Sequence, residues 1–188
     1  MIVTETRLGL FYGLPNARHI ARLKLLALED LLYLATPEEI PVDASPHTVS
    51  QYGISVAEGA PLVELVFPVG GCTMQETSQT SGEGRVYDLE LSAVIPRNEP
   101  RLIGWAEANR GREWVALMLD QNGAAYIAGE PENGLALFTG RSIRDANAVT
   151  LTLRGRSWHS LYFLESFDSA ALFAETEFDL EFGSSFNA

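Results

Sequence analysis

Three histidines, one cysteine and a few acid-rich runs are what this 188-residue sequence offers for chemistry. A zinc site needs ligands at short, regular spacings, as in HExxH, and His19, His47 and His159 fall in three separate segments with no such spacing. His159, beside Trp158 and Tyr162, reads as an ordinary surface or strand histidine. Cys72 follows Gly70-Gly71 in the manner of an exposed nucleophile, but no neighbour in sequence supplies a base, so a small buried or loop residue is the better reading. Asp88 and Glu90 share a strand face and could meet other carboxylates as a glycosidase pair does. With 25 acidic residues such coincidences are expected, and a solvated face accounts for them. Asp120-Gln121-Asn122-Gly123 has calcium-loop composition without the later ligands of an EF-hand, and a hairpin turn explains it better. Gly70-Gly71 and Gly140-Arg141-Ser142 lack the Lys-Ser/Thr ending of a phosphate loop. Trp105, Trp114 and Trp158 would suit a carbohydrate platform, or else helix-to-sheet packing and subunit contact. These residues predict no catalytic centre, no metal and no cofactor.

Composition narrows the class. A chain of this length buries roughly two thirds of its unfolded surface and supports one sizeable core. The 46% hydrophobic content belongs to a globular protein rather than a disordered one. A net charge of −12 opposes general attraction to nucleic-acid phosphate. The basic residues are arginines apart from Lys24, and none follows Arg156, so residues 157–188 carry a strong negative field. A single cysteine forms no intrachain disulfide and fits a reducing compartment. No cationic leader with a long apolar run and no uncharged 18-residue apolar stretch is visible, so neither export nor membrane spanning is expected.

The elements that must position these residues are mostly strands. Val86 to Ile95 alternates Tyr87, Leu89, Leu91, Ala93 and Ile95 against Asp88, Glu90 and Ser92, the period-two pattern of a half-buried antiparallel strand. Glu113 to Leu119 alternates Val115, Leu117 and Leu119 against Trp114, Ala116 and Met118, and Asn122-Gly123 closes a hairpin onto 124–128. Val149, Leu151 and Leu153 mark a returning strand, with shorter strands at 49–56, 62–67, 74–80, 135–138 and 161–164. Residues 20–34 suit a helix by propensity, but the alternation of Ile20, Arg22 and Lys24 against Ala21, Leu23 and Leu25 favours a strand over 20–27 turned by Glu29-Asp30. One helix is expected over about Asn98 to Asn109, with Asn98 as N-cap, Pro100 in the first turn and Gly111 at the exit. Ser78 to Gly84 reads as a polar turn and Thr139 to Asn147 as a loop. The expectation is a single mainly β domain, an antiparallel β-sandwich or open barrel with one flanking α-helix. Residues 1–48 would form an amino-terminal arm and long crossover, and 165–188 an acidic extension or edge strand.

The succession from Tyr87-Asp88-Leu89-Glu90-Leu91 through the helix, Trp114 to Gly123, Tyr126-Ile127-Ala128-Gly129 and Asp145 to Gly155 resembles structural tail proteins of phages that infect Bacteroidota, and more loosely tail-tube proteins. The resemblance implies a non-enzymatic virion subunit made in the host cytoplasm. Such a subunit would form homo-oligomeric rings with other tail proteins around a channel through which DNA passes without specific binding. It places Asp88, Glu90, Glu177, Asp179 and Glu181 at a lumen or interface, and Ser78, Gln79, Ser81 and Glu83 in an inter-subunit loop. Trp105, Trp114, Trp158, Phe178 and Phe182 become packing or interface aromatics. A β-sandwich carbohydrate-binding module is the alternative.

Overall fold

The computed structural model describes residues 16–43, 45–82, 84–143 and 147–172. The chain is mainly β. Its strands are β1 (Ile20–Ala27), β2 (Leu31–Leu34), β3 (Thr48–Val49), β4 (Ile54–Val56), β5 (Leu62–Val66), β6 (Cys72–Ser81) and β7 (Gly84–Pro96), followed by helix α1 (Pro100–Ala108). After it come β8 (Glu113–Asp120), β9 (Ala125–Ala128), β10 (Leu135–Ile143), β11 (Asn147–Ser157), β12 (Tyr162–Leu164) and a one-turn helix α2 (Ser169–Leu172).

β8 is the hub of the main sheet. One edge pairs with β1 and the other with β9 and the start of β10. From β10 the sheet continues through β11 and β7 to β6, and from β9 through β12 to β3, while β5 adds to the far side of β1. All these pairings are antiparallel except β12 with β3. A strand with neighbours on both edges and layers on both faces has no wet side, which is why Trp114 to Met118 are all buried. Trp114, Ala116 and Met118 face a core shared with Leu23, Leu25, Leu91, Leu151 and Leu153. Val115 and Leu117 face a second core with Val49, Ile127, Tyr162, Phe167 and Leu172. The curled limb β8-β10-β11-β7-β6 encloses the first core as an open barrel, and β9, β12 and β3 cover the second.

The strand reading of 20–27 holds, with a 3-10 turn at Leu28–Asp30 where Glu29-Asp30 was expected to turn the chain. Residues 20–34 are therefore not an arm: Leu23 and Leu25 are fully buried. Two boundaries differ from expectation because cross-strand pairing overrides local polarity. β6 runs through Ser81 with Ser78 opposite Tyr87 and Gln79 opposite Val86, so these residues are strand rather than turn. β10 extends through Ile143 against β11, converting most of the expected loop. β12, close to the expected 161–164, lies between β9 and β3. The stretch 49–56 is broken at Ser50–Gly53, where the amide of Gly53 donates to the carbonyl of Ser50.

Helix α1 starts one residue late for Asn98 to cap it. Glu99 occupies the cap position without a side-chain hydrogen bond, because Asn98 is committed elsewhere: its side-chain amide donates to the Ser142 carbonyl and to Asn147 Oδ1. Leu102, Ile103 and Trp105 lie against the first core, and Gly111 leaves the helix at φ +84°. Residues 165–172, the start of the expected extension, are tied down. Phe167 and Leu172 are buried, and Lys24, 3% exposed, donates from Nζ to the Phe167 carbonyl and Ser169 Oγ. Residues 1–15 of the expected amino-terminal arm, Glu83, and the acidic and aromatic residues Glu177, Phe178, Asp179, Glu181 and Phe182 lie outside the described residues.

Candidate functional site

The densest polar chemistry gathers where four elements meet: the β9–β10 turn, the end of β11, the turn into β12 and the middle of β6. Glu130 Oε1 accepts from Ser157 Oγ at 2.7 Å and lies 2.8 Å from His159 Nε2. His159 Nδ1 lies 2.9 Å from the Ser160 carbonyl. Both ring nitrogens thus face acceptors, which only the doubly protonated imidazolium satisfies as a donor on each side. Burial pulls the His159 pKa down, but the Glu130 hydrogen bond, the Ser160 carbonyl and the negative charges of Glu130 and Glu38 outweigh it and raise the pKa above 6.5. Glu130 responds in the opposite sense. Burial raises its pKa, and the hydrogen bonds from His159 and Ser157, with the imidazolium charge, bring it below 4.5.

Glu76 of β6 reaches into the same junction and accepts from Ser160 Oγ at 2.8 Å and the Leu161 amide at 2.6 Å. His47, the residue before β3, lies 3.1 Å through Nε2 from the carbonyls of both Ser160 and Leu161. Its ring and that of His159 flank Tyr162, with centroids 4.7 Å and 3.9 Å away. Two histidines 112 positions apart by number therefore converge on one tyrosine, which no spacing in the sequence signals. Among the described residues no group of three or more His, Cys, Asp or Glu side chains is arranged to hold a metal ion.

The order of contacts decides what this junction does. A nucleophilic serine needs the histidine as its base. Here Ser157 Oγ donates to the carboxylate, and the histidine holds that carboxylate from the other side. The hydroxyl therefore faces a carboxylate whose lowered pKa makes it a weak base, and not the imidazole. Beside the cluster, bounded also by Leu89, Gly129 and Leu161, lies a cavity of about 30 Å³. That is space for one or two waters and for no organic substrate. The arrangement is a clamp: it fastens the turn before β12 to β6 and to the β9–β10 turn.

The residues singled out in the sequence are spread over the molecule. Asp88 and Glu90 point to the solvent face of β7, where each meets an arginine of the neighbouring strand: Asp88 with Arg156 at 2.7 Å and Glu90 with Arg154 at 3.1 Å. Each of these two carboxylates therefore has a cation beside it, and this part of the β7 face is charge-balanced. Cross-strand pairing is long-range, so the alternation of β7 alone could not foretell it. Ser78 and Gln79 lie on exposed β6, and Ser81 ends it opposite Gly84. The tryptophans do not make one platform. Trp105 and Trp114 meet at 5.5 Å with Trp114 buried in the core, and Trp158 is 58% exposed on its own turn. Cys72 is fully buried, and burial pushes its thiol up to about 12. The Asp120 carboxylate accepts from the Asn122 and Ala124 amides at 2.8 and 2.9 Å, closing the β8–β9 hairpin, and Gly123 adopts φ +88°.

Comparison with protein families, with curated proteins and with solved structures finds no match to this chain.

Proposed function

We propose that this chain is a non-enzymatic structural subunit that works by assembling with copies of itself, as a phage tail or related tube subunit does. The observation that carries the reading is β6. It is ten residues long, it ends the main sheet, and among the described strands it pairs along one edge only, with β7. Soluble proteins usually guard such an edge with lysine, proline, inward charges or a bulge. The β6 sequence Thr73-Met74-Gln75-Glu76-Thr77-Ser78-Gln79-Thr80 has neither lysine nor proline, and its register with β7 is unbroken. Its single charge, Glu76, is an inward one held by Ser160 and Leu161, and no guard of any of these kinds follows it over Thr77 to Ser81. Such an edge is fitted to accept a strand from a neighbour. Beyond the last pair of β7 with β11, Tyr87 with Ser157, the β6–β7 hairpin runs on for further pairs, which carries Gln79 and Thr80 away from the body of the sheet.

Two features of the junction at Glu130 and His159 support a structural role over an enzymatic one: its serine faces a carboxylate, and its cavity admits only water. Among the described residues no helix is long and apolar enough to cross a membrane. Sedimentation velocity across a wide range of protein and salt concentrations tests the proposal. Rings or higher oligomers, visible by negative-stain microscopy, are the expected outcome. A monomer at every concentration overturns it.

A further inference from the structure

We infer that the solvent face of the β6-β7-β11-β10 sheet is a self-complementary docking surface for a second copy of this chain, with a twofold axis running along the strands between β7 and β11. The inference rests on the assembly reading and names one of its contacts. Its basis is the charge pattern of the face. Cross-strand register places Gln75, Glu90, Arg154 and Ala136 in one row, and Thr77, Asp88 and Arg156 in the next. Thr73, Ser92, Thr152 and Phe138 form the row on the other side. Read down the strands, β7 presents a column of carboxylates and β11 a column of guanidinium groups. The flanking columns in these rows are uncharged. The charged pair of columns therefore sits at the centre of a four-strand face, about 4.8 Å apart.

Only one way of closing two such faces avoids repulsion. A twofold axis across the strands lays each column over its own copy and opposes like charges. An axis along the strands exchanges the columns. Arg154 of the second copy then lies over Glu90, Arg156 over Asp88, and the reciprocal contacts form by symmetry, as an isologous interface requires. The same operation lays β10 over β6 and seats Phe138, 52% exposed, against Thr73. It brings Val94, 44% exposed, over Thr150. Phe138 and Val94 then each meet a threonine methyl, and each of the four charges meets its opposite. Two sheets stacked this way lie about 10 Å apart, close enough for these side chains to interdigitate.

The test uses charge reversal and mixing, read by sedimentation velocity on the full chain. Asp88→Arg/Glu90→Arg makes both columns positive, and Arg154→Glu/Arg156→Glu makes both negative. Each variant alone should associate at least about a hundredfold more weakly through this contact, since like charges placed opposite each other cost enough for two tenfold steps. An equimolar mixture should recover association as a heterodimer. As a variant that keeps its own cross-strand ion pair, and so its fold, Glu90→Arg/Arg154→Glu should self-associate but not mix with the wild type. If the wild type assembles and the single-sign variants assemble equally well, or their mixture fails to recover, this face is refuted while the assembly reading stands. If the wild type is a monomer throughout, both fail.

Discussion

Removing the His159 imidazole should destabilise the fold, and the size of the loss should depend on pH in a defined direction. His159 and Glu130 are about a quarter exposed, at 28% and 25% of their side-chain surface, so water screens the pair only in part. A hydrogen bond to a charged group contributes about 1.5–3 kcal/mol when lost, and partial exposure moves the expectation for His159→Gln to roughly 1–2 kcal/mol. For a chain of this size that is a fall in Tm of about 2–8 °C. Because the folded pKa of His159 is raised, its contribution is complete below the unfolded value near 6.5 and disappears as pH rises through the folded value. Because the folded pKa of Glu130 is lowered, its contribution is complete above the unfolded value near 4.5 and disappears as pH falls through the folded value. The pair is therefore fully effective between these two unfolded values. Glu38, Glu76, Arg156, His47 and Tyr162 surround it, so single variants mix several titrations. A double-mutant cycle with His159→Gln and Glu130→Gln isolates the pair. Urea unfolding at pH 5.5 and again near pH 9 should give a larger coupling energy at the lower pH than at the higher, where a neutral imidazole still donates from Nε2 but no longer carries the charge. Equal coupling at both would refute the assignment of His159 as an imidazolium held by Glu130.

Two further outcomes follow from packing. Cys72 should resist a thiol reagent at neutral pH in the folded protein and react completely once denatured, because its sulfur is buried and its pKa is pushed up to about 12. Rapid labelling under native conditions would mean the barrel core is open there. Gly129→Ala should cost about 2–4 kcal/mol in chemical denaturation. Gly129 sits at φ +94°, and a Cβ there would stand 2.6 Å from the Trp114 carbonyl oxygen, so strain and overpacking act together.

The sequence by itself determined the class of this protein and the facing of its central strands. The alternations of 87–95 and 114–119 sort residues onto the same faces that the two cores display, because a strand's period of two is a local property of the backbone. The Asn122-Gly123 hairpin was equally legible, since its turn needs only a left-handed glycine and the Asp120 side chain nearby. The tertiary structure decided what lies across each strand. It alone places Arg154 and Arg156 beside Glu90 and Asp88, which turns an acidic strand face into a charge-balanced one. It alone brings His47 to the Tyr162 that His159 also stacks on, and Glu76 to the turn both histidines hold. Strand lengths likewise exceeded the local pattern in β6 and β10, where ladder hydrogen bonds carried polar residues such as Ser78 and Arg141 into the sheet. Period and turn chemistry are written within about ten residues of chain, whereas partners across a sheet are set by register between segments far apart, and no single segment encodes that register.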